Sequence, residues 1–140
     1  MNDGALLLDT HCWLWAQSGL TQHLSRPALS AIRRAEAGGR LLVSVISVWE
    51  LGMLHQKGQV SLPGDVRIWV REAFAKPGLM LAPLTPEMAI ESSYLPGELH
   101  GDPADRILAA TARILGATLL TKDRRLLEYS RGHHLRALPA

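Results

Sequence analysis

Short runs of consecutive apolar residues recur along this chain, and amphipathic stretches fall between them. Residues 5–8, 41–45, 79–84 and 117–121 form such runs, and 134–138 offers a weaker one as a final edge strand. They are continuous and not alternating, as expected of strands covered on both faces. The intervening stretches carry helix signals. Ser25-Arg26-Pro27 opens a helix with Leu29, Ile32 and Ala35 on one side, and Gly38-Gly39 ends it. Residues 11–16 predict a short helical turn, and 47–56, 65–75, 85–94 and 123–129 predict helices. Asp102-Pro103 opens a long one through Leu115, closed by Gly116. Strands alternate with helices almost throughout. This predicts a three-layer α/β/α sandwich around a mainly parallel sheet. No repeat, linker or low-complexity segment interrupts the 140 residues, so a single domain over 1–140 is expected.

Composition narrows the class without naming a function. The chain is 47% hydrophobic and 20% charged, which is ordinary for a globular protein. No apolar run approaches the roughly 20 residues that span a bilayer. The opening "MNDGALLLD" lacks the basic region and apolar core of a secretion signal, so a cytoplasmic location is expected. Cys12 is the sole cysteine, which rules out an intrachain disulfide and a paired-thiolate metal site. It reads as a small buried hydrophobe. The net charge is only +2, but Arg33, Arg34 and Arg40 cluster early, and Lys122, Arg124, Arg125, Arg131 and Arg136 dominate the last fifth. Such clusters fit either a solvated face or a polyanionic partner.

The carboxylates carry the candidate chemistry. Asp9 directly follows Leu6-Leu7-Leu8, and Asp123 follows Leu119-Leu120-Thr121-Lys122. A charge placed beside buried apolar segments needs a partner. In an open parallel sheet, ligands bind beyond the carboxyl ends of the strands where strand order reverses. Asp9, Glu50 and Asp123 are expected on that edge. Asp102 and Asp105 join them if the loop of residues 96–101 crosses over. Each also has a local reading. Asp9 and Asp123 suit helix caps; Ser47 to Glu50 matches a capping box, and Asp102 with Asp105 resembles another. Gathered together, however, like charges raise one another's pKa and oppose folding. A hard divalent cation such as Mg²⁺ or Mn²⁺ would relieve that repulsion and keep waters for a phosphate substrate. The chemistry expected of such a site is attack of water on a phosphodiester.

Taken in order, "LLLDTH", "SVISVWELGML", "HGDPADRILAATA" and "LLTKDRRL" resemble the PIN-domain family, and more closely the VapC-type toxins of bacterial toxin–antitoxin pairs. The resemblance covers nearly the whole chain. It implies a PIN-like α/β/α sandwich, usually a homodimer. It further implies Mg²⁺- or Mn²⁺-dependent cleavage of RNA, held off by a cognate VapB-like antitoxin whose tail enters the active-site groove. Carried onto this chain, the acidic set is Asp9, Glu50, Asp105 and Asp123. Asp9 and Asp105 are the first candidates for direct or water-bridged metal ligands. Glu50 would ligate or help activate the attacking water, and Asp123 would complete the site. Asp102 reads as the helix cap, with an approach to metal through water as the alternative. Thr10, Ser47 and Thr121 bring hydroxyls that could orient the carboxylates, Ser47 also suiting the cap.

His11 and His100 stand near the acidic motifs, where they could touch substrate or hold a loop, and the structural role is the one favoured. Arg106, Arg113, Lys122, Arg124 and Arg125 fit either phosphate contacts or solvated surface. Trp13, Trp15, Trp49 and Trp69 read as core or interface residues. Two other functional classes remain open at this stage. One is a non-catalytic module that keeps the fold and binds protein or RNA, though such a module gains nothing from crowding carboxylates. The other is a phosphatase with strand-end aspartates, but those pair two aspartates two positions apart and Asp9-Thr10-His11 does not.

Overall fold

The computed structural model describes residues 4–140, so the first three residues of the expected 1–140 domain lie outside the described residues. Strands β1 (Leu6–Leu8), β2 (Leu41–Ser44), β3 (Leu79–Ala82), β4 (Thr118–Thr121) and β5 (Ala137–Pro139) form one sheet in the order β3-β2-β1-β4-β5. Every neighbouring pair is parallel. Leu6 aligns with Leu41 on one side and Thr118 on the other, and Leu8 with Val43 and Leu120. The order runs outward from β1 through β2 to β3, then restarts on the other side with β4. The switch point therefore lies between β1 and β4.

Helices α1 (Thr10–Gln17), α2 (Arg26–Ala37), α3 (Val45–Gln56), α4 (Val66–Ala75), α5 (Pro86–Glu91), α6 (Pro103–Leu115) and α7 (Arg124–Ser130) cover the sheet, with a single 3-10 turn at Thr21–His23. The pleat of β1 explains the three layers. Leu6 and Leu8 enter one core with Trp13, Ile32, Leu51 and Trp69. Leu7 enters the other with Leu108, Ala109, Leu126 and Tyr129. All three leucines are buried, each contributing about 1.5–3 kcal/mol, so both faces need apolar side chains and the run cannot alternate. Cys12 is buried in the first core as expected, and burial pushes its thiol up to about 12. Among the described residues no helix is long and apolar enough to cross a membrane.

Helix α6 begins and ends as its sequence indicates. The Asp102 side chain accepts from the Asp105 amide at 3.2 Å, Pro103 sits in the first turn, and Gly116 closes the helix at φ 66. The start of α3 differs from expectation. β2 stops at Ser44, whose hydroxyl accepts from the Ile46 amide at 3.1 Å, and the helix starts at Val45. Ser44, not Ser47, is the cap. Ser47 lies inside the helix, and Glu50 falls in its second turn outside any capping box. β3 is also shorter than predicted and ends at Ala82, while α5 ends at Glu91, where Ser92 takes over the helix end. β5 starts only at Ala137, because the chain turns at His133 (φ 63) and Arg113 holds the His134 carbonyl at 2.6 Å.

Candidate active site

β1 and β4 deliver the first two carboxylates side by side. The ladder continues one step past β1, where the Asp9 amide donates to the Leu120 carbonyl at 2.9 Å. That sets Asp9 next to Thr121. The buried Thr121 hydroxyl donates to Asp9 Oδ2 at 2.6 Å and accepts from the Asp123 amide at 3.0 Å. The Thr10 amide donates to Asp9 Oδ1 at 2.7 Å, so both oxygens of Asp9 are fixed in direction while each keeps a further lone pair. Thr10 in turn donates its hydroxyl to Ser47 Oγ at 2.9 Å, tying the start of α1 to α3. Thr10, Ser47 and Thr121 thus act on the carboxylates or on the elements that carry them.

The other acidic residues arrive by helix direction. α6 runs back against the strands, which puts its first turn at the strands' carboxyl ends. Asp105 projects from that turn and is 8% exposed. Asp9, Glu50, Asp102, Asp105 and Asp123 line one cavity of about 540 Å³, together with Lys122 and Arg125. The sequence-predicted residues are therefore all brought to one place. At its edge, ligand atoms of His100, which lines the neighbouring cavity, and of Asp105 and Asp123 lie within 4.8 Å of one another, a trio that does not include Asp9 or Glu50.

The electrostatics follow from this crowding. Burial pushes the Asp105 carboxyl up to about 8, with Asp9, Asp102 and Asp123 adding to the rise. Burial also raises Asp9, partly offset by the Thr121 and Thr10 donors. Glu50 is raised by burial, by Asp9 and by Asp102. For Asp123, burial acts upward but is outweighed by the side chain and amide of Arg125, and its carboxyl is held below the usual value. Several ionised carboxylates cannot share this space without a counter-charge. Carboxylate oxygens are donors that Mg²⁺ and Mn²⁺ accept, and Mn²⁺ also takes an imidazole nitrogen, so the residues present fit a divalent cation.

Four side chains carry roles that the sequence left open. Arg106 donates to the carbonyls of Ser92 and Leu99, each at 2.8 Å, and pins the 96–101 loop instead of facing solvent or substrate. Arg113 pairs with Glu91 at 2.9 Å. Trp15 packs against the first core at its margin, where it also lines the acidic cavity, stacks on His23, and has the Lys122 ammonium 5.2 Å from its ring centre. His100 holds Asp105 Oδ2 through Nε2 at 2.7 Å and belongs to the tight trio. Its signal in the sequence was its place five residues before Asp105, just ahead of the Asp102 cap. Trp13 and Trp69 do pack together in the core, with ring centres 5.2 Å apart, whereas Trp49 is 57% exposed.

Comparison with known proteins gives a consistent picture. The family model of the PIN domain matches residues 6–132. Ribonuclease VapC22 of Mycobacterium tuberculosis is 37% identical over 121 residues, which cover 86% of this chain and 88% of that protein. Among solved structures, the DNA-bound VapBC of Salmonella typhimurium superposes with a TM-score of 0.68 at 21% identity, covering 96% of this chain and 97% of the other. VapBC2 of Rickettsia felis bound to a promoter DNA fragment gives 0.65 at 14% identity, covering 96% and 98%. FitAcB of Neisseria gonorrhoeae gives 0.59 at 18% identity, covering 95% and 96%. These structural likenesses speak to the fold.

Proposed function

The chain belongs to the PIN domain family, and from that premise we propose that it is an endoribonuclease that depends on Mg²⁺ or Mn²⁺ and serves as the toxin of a toxin–antitoxin pair. The observation that carries the reading is the gathering of Asp9, Glu50, Asp105 and Asp123 around one cavity at the β1/β4 switch point. Such burial of like charges opposes folding, and a binding-only module would have no use for it.

Asp9, Asp105 and Asp123 would hold the cation, and Asp102 lines the same cavity from the helix cap. A bound divalent cation supplies positive charge against the phosphate oxygens and the departing ribose oxygen. The chain's own residues do the rest. Thr121 and Thr10 keep Asp9 aimed into the cavity. Glu50, whose burial keeps it readier than usual to hold a proton, takes one from the attacking water. The water oxygen bonds to phosphorus as the bond to the ribose oxygen breaks. Lys122 and Arg125 border the cavity and attract the flanking phosphates.

The VapB-like antitoxin rests on the relatives whose structures are VapBC complexes. Trp49, Ile90 and Tyr94 are 57%, 64% and 77% exposed, and such apolar side chains offer contact area for a partner or a second copy of the chain. The test is incubation of the purified, antitoxin-free chain with total RNA and Mn²⁺. Cleavage that stops with EDTA and in Asp9→Asn supports the proposal. Cleavage that persists in both contradicts it.

A further inference from the structure

We propose that His100 is a metal ligand of this site and that its nitrogen makes the site favour Mn²⁺ over Mg²⁺. The inference rests on the metal-dependent reading above and deepens it. His100 is the one nitrogen donor in a trio whose other members are the carboxylates of Asp105 and Asp123. All three ligand atoms lie within 4.8 Å of one another. Two ligands on one such cation, each at about 2.1 Å, sit about 3 Å apart at right angles and about 4 Å apart when opposed. The His100–Asp105 pair, at 2.7 Å, already stands near the spacing of adjacent ligands, and Asp123 closes on it by turning its side chain.

The ring is held for this purpose and not left to solvent. The His100 side chain is 14% exposed, and its Nε2 end is aimed at Asp105 Oδ2 at 2.7 Å. Its other nitrogen, Nδ1, is buried without a partner among the described residues, so among them the ring's polar contact is the one at Nε2. The loop that carries it is anchored from α6 by Arg106, which takes the Leu99 carbonyl at 2.8 Å and approaches that of His100 at 3.4 Å. Arg106 follows Asp105 directly, so one helical turn sets both the carboxylate and the imidazole. A hydrogen-bonded prop for Asp105 alone would not require a second carboxylate, Asp123, with a ligand atom within 4.8 Å of one of the ring. Imidazole is a good ligand for first-row transition ions, whereas Mg²⁺ prefers an all-oxygen shell.

The experiment is cation binding by the full chain, read by calorimetry for Mn²⁺ and Mg²⁺ and by pulsed EPR of the Mn²⁺ complex. The expected result is nitrogen modulation in the wild-type spectrum, kept in His11→Gln and lost in His100→Gln. The ratio of Mn²⁺ to Mg²⁺ affinity should fall about tenfold or more in His100→Gln. Mn²⁺ bound to the wild type without nitrogen modulation, or an unchanged affinity ratio in His100→Gln, overturns the role of His100 and leaves the nuclease reading standing. Failure of the wild type to bind either cation at millimolar concentration overturns both.

Discussion

Asp105→Asn tests the electrostatic core of the site in the absence of metal. In the unfolded chain Asp105 releases its proton near 3.8, whereas the folded chain holds it until about 8. Unfolding between these values releases a proton, so the stability of the metal-free protein falls as pH rises through that window and is fullest below it. At about 1.4 kcal/mol per pH unit, the fall from pH 5 to pH 8 has a ceiling of about 4 kcal/mol. The carboxyl borders a cavity open to solvent, and neighbouring side chains relax, so a drop of about 1–2 kcal/mol is expected. Asparagine carries no charge and keeps a polar group against His100. In EDTA, urea unfolding of Asp105→Asn should therefore lose this part of the pH dependence, and the variant should be about 1–2 kcal/mol more stable than the wild type at pH 8. Saturating Mn²⁺ should reverse the order, because a ligand at about 100 times its Kd adds about 2.7 kcal/mol to the protein that binds it. A variant less stable than the wild type in EDTA at pH 8, with an unchanged pH profile, would refute the reasoning.

Three further substitutions probe the supports of the site. Thr121→Val removes the hydroxyl that aims Asp9 and should lower RNA cleavage about 10- to 100-fold in a steady-state assay while costing only about 1 kcal/mol in urea unfolding. Arg106→Met frees the loop carbonyls that the guanidinium holds; the Mn²⁺ concentration for half-maximal cleavage should rise, with about 1–3 kcal/mol lost in stability. Leu119→Ala empties a fully buried position in the second core and should cost about 2–5 kcal/mol by urea unfolding, with Mn²⁺ affinity retained in the folded fraction.

Much of the architecture was readable because it is written in local chemistry. Leu6-Leu7-Leu8 must feed two cores, so a continuous apolar run betrays a strand covered on both faces. Asp102-Pro103 and Gly116 mark the ends of α6 by capping and by left-handed backbone, both short-range effects. The collection of Asp9, Glu50 and Asp123 on one edge was readable for a related reason: helices in a parallel sheet start where strands end, whereas Asp105 reaches that edge only because the 96–101 loop crosses over. What escaped depends on choices between equivalent local options or on the path of a loop. Ser44 and Ser47 both precede helical residues, and only the length of β2 decides which of them caps α3. Arg106 looks like any surface arginine until the 96–101 loop turns its carbonyls back onto α6. His100 gains its position from that same turn, so sequence spacing alone could mark its proximity to Asp105 but not its aim. The cavity-facing side of Trp15 was not legible because α1 turns Trp13 fully inward and leaves Trp15 at the core's margin, beside the cavity.

The claim that these carboxylates are gathered for a cation is tested most directly by anomalous diffraction from crystals of the antitoxin-free chain soaked in Mn²⁺. The account predicts a peak within about 2.2 Å of carboxylate oxygens of Asp105 and Asp123, on the side of the cavity facing Asp9. Ordered carboxylates around that cavity with no peak among them, under soaks that load Mn²⁺ elsewhere, would contradict it.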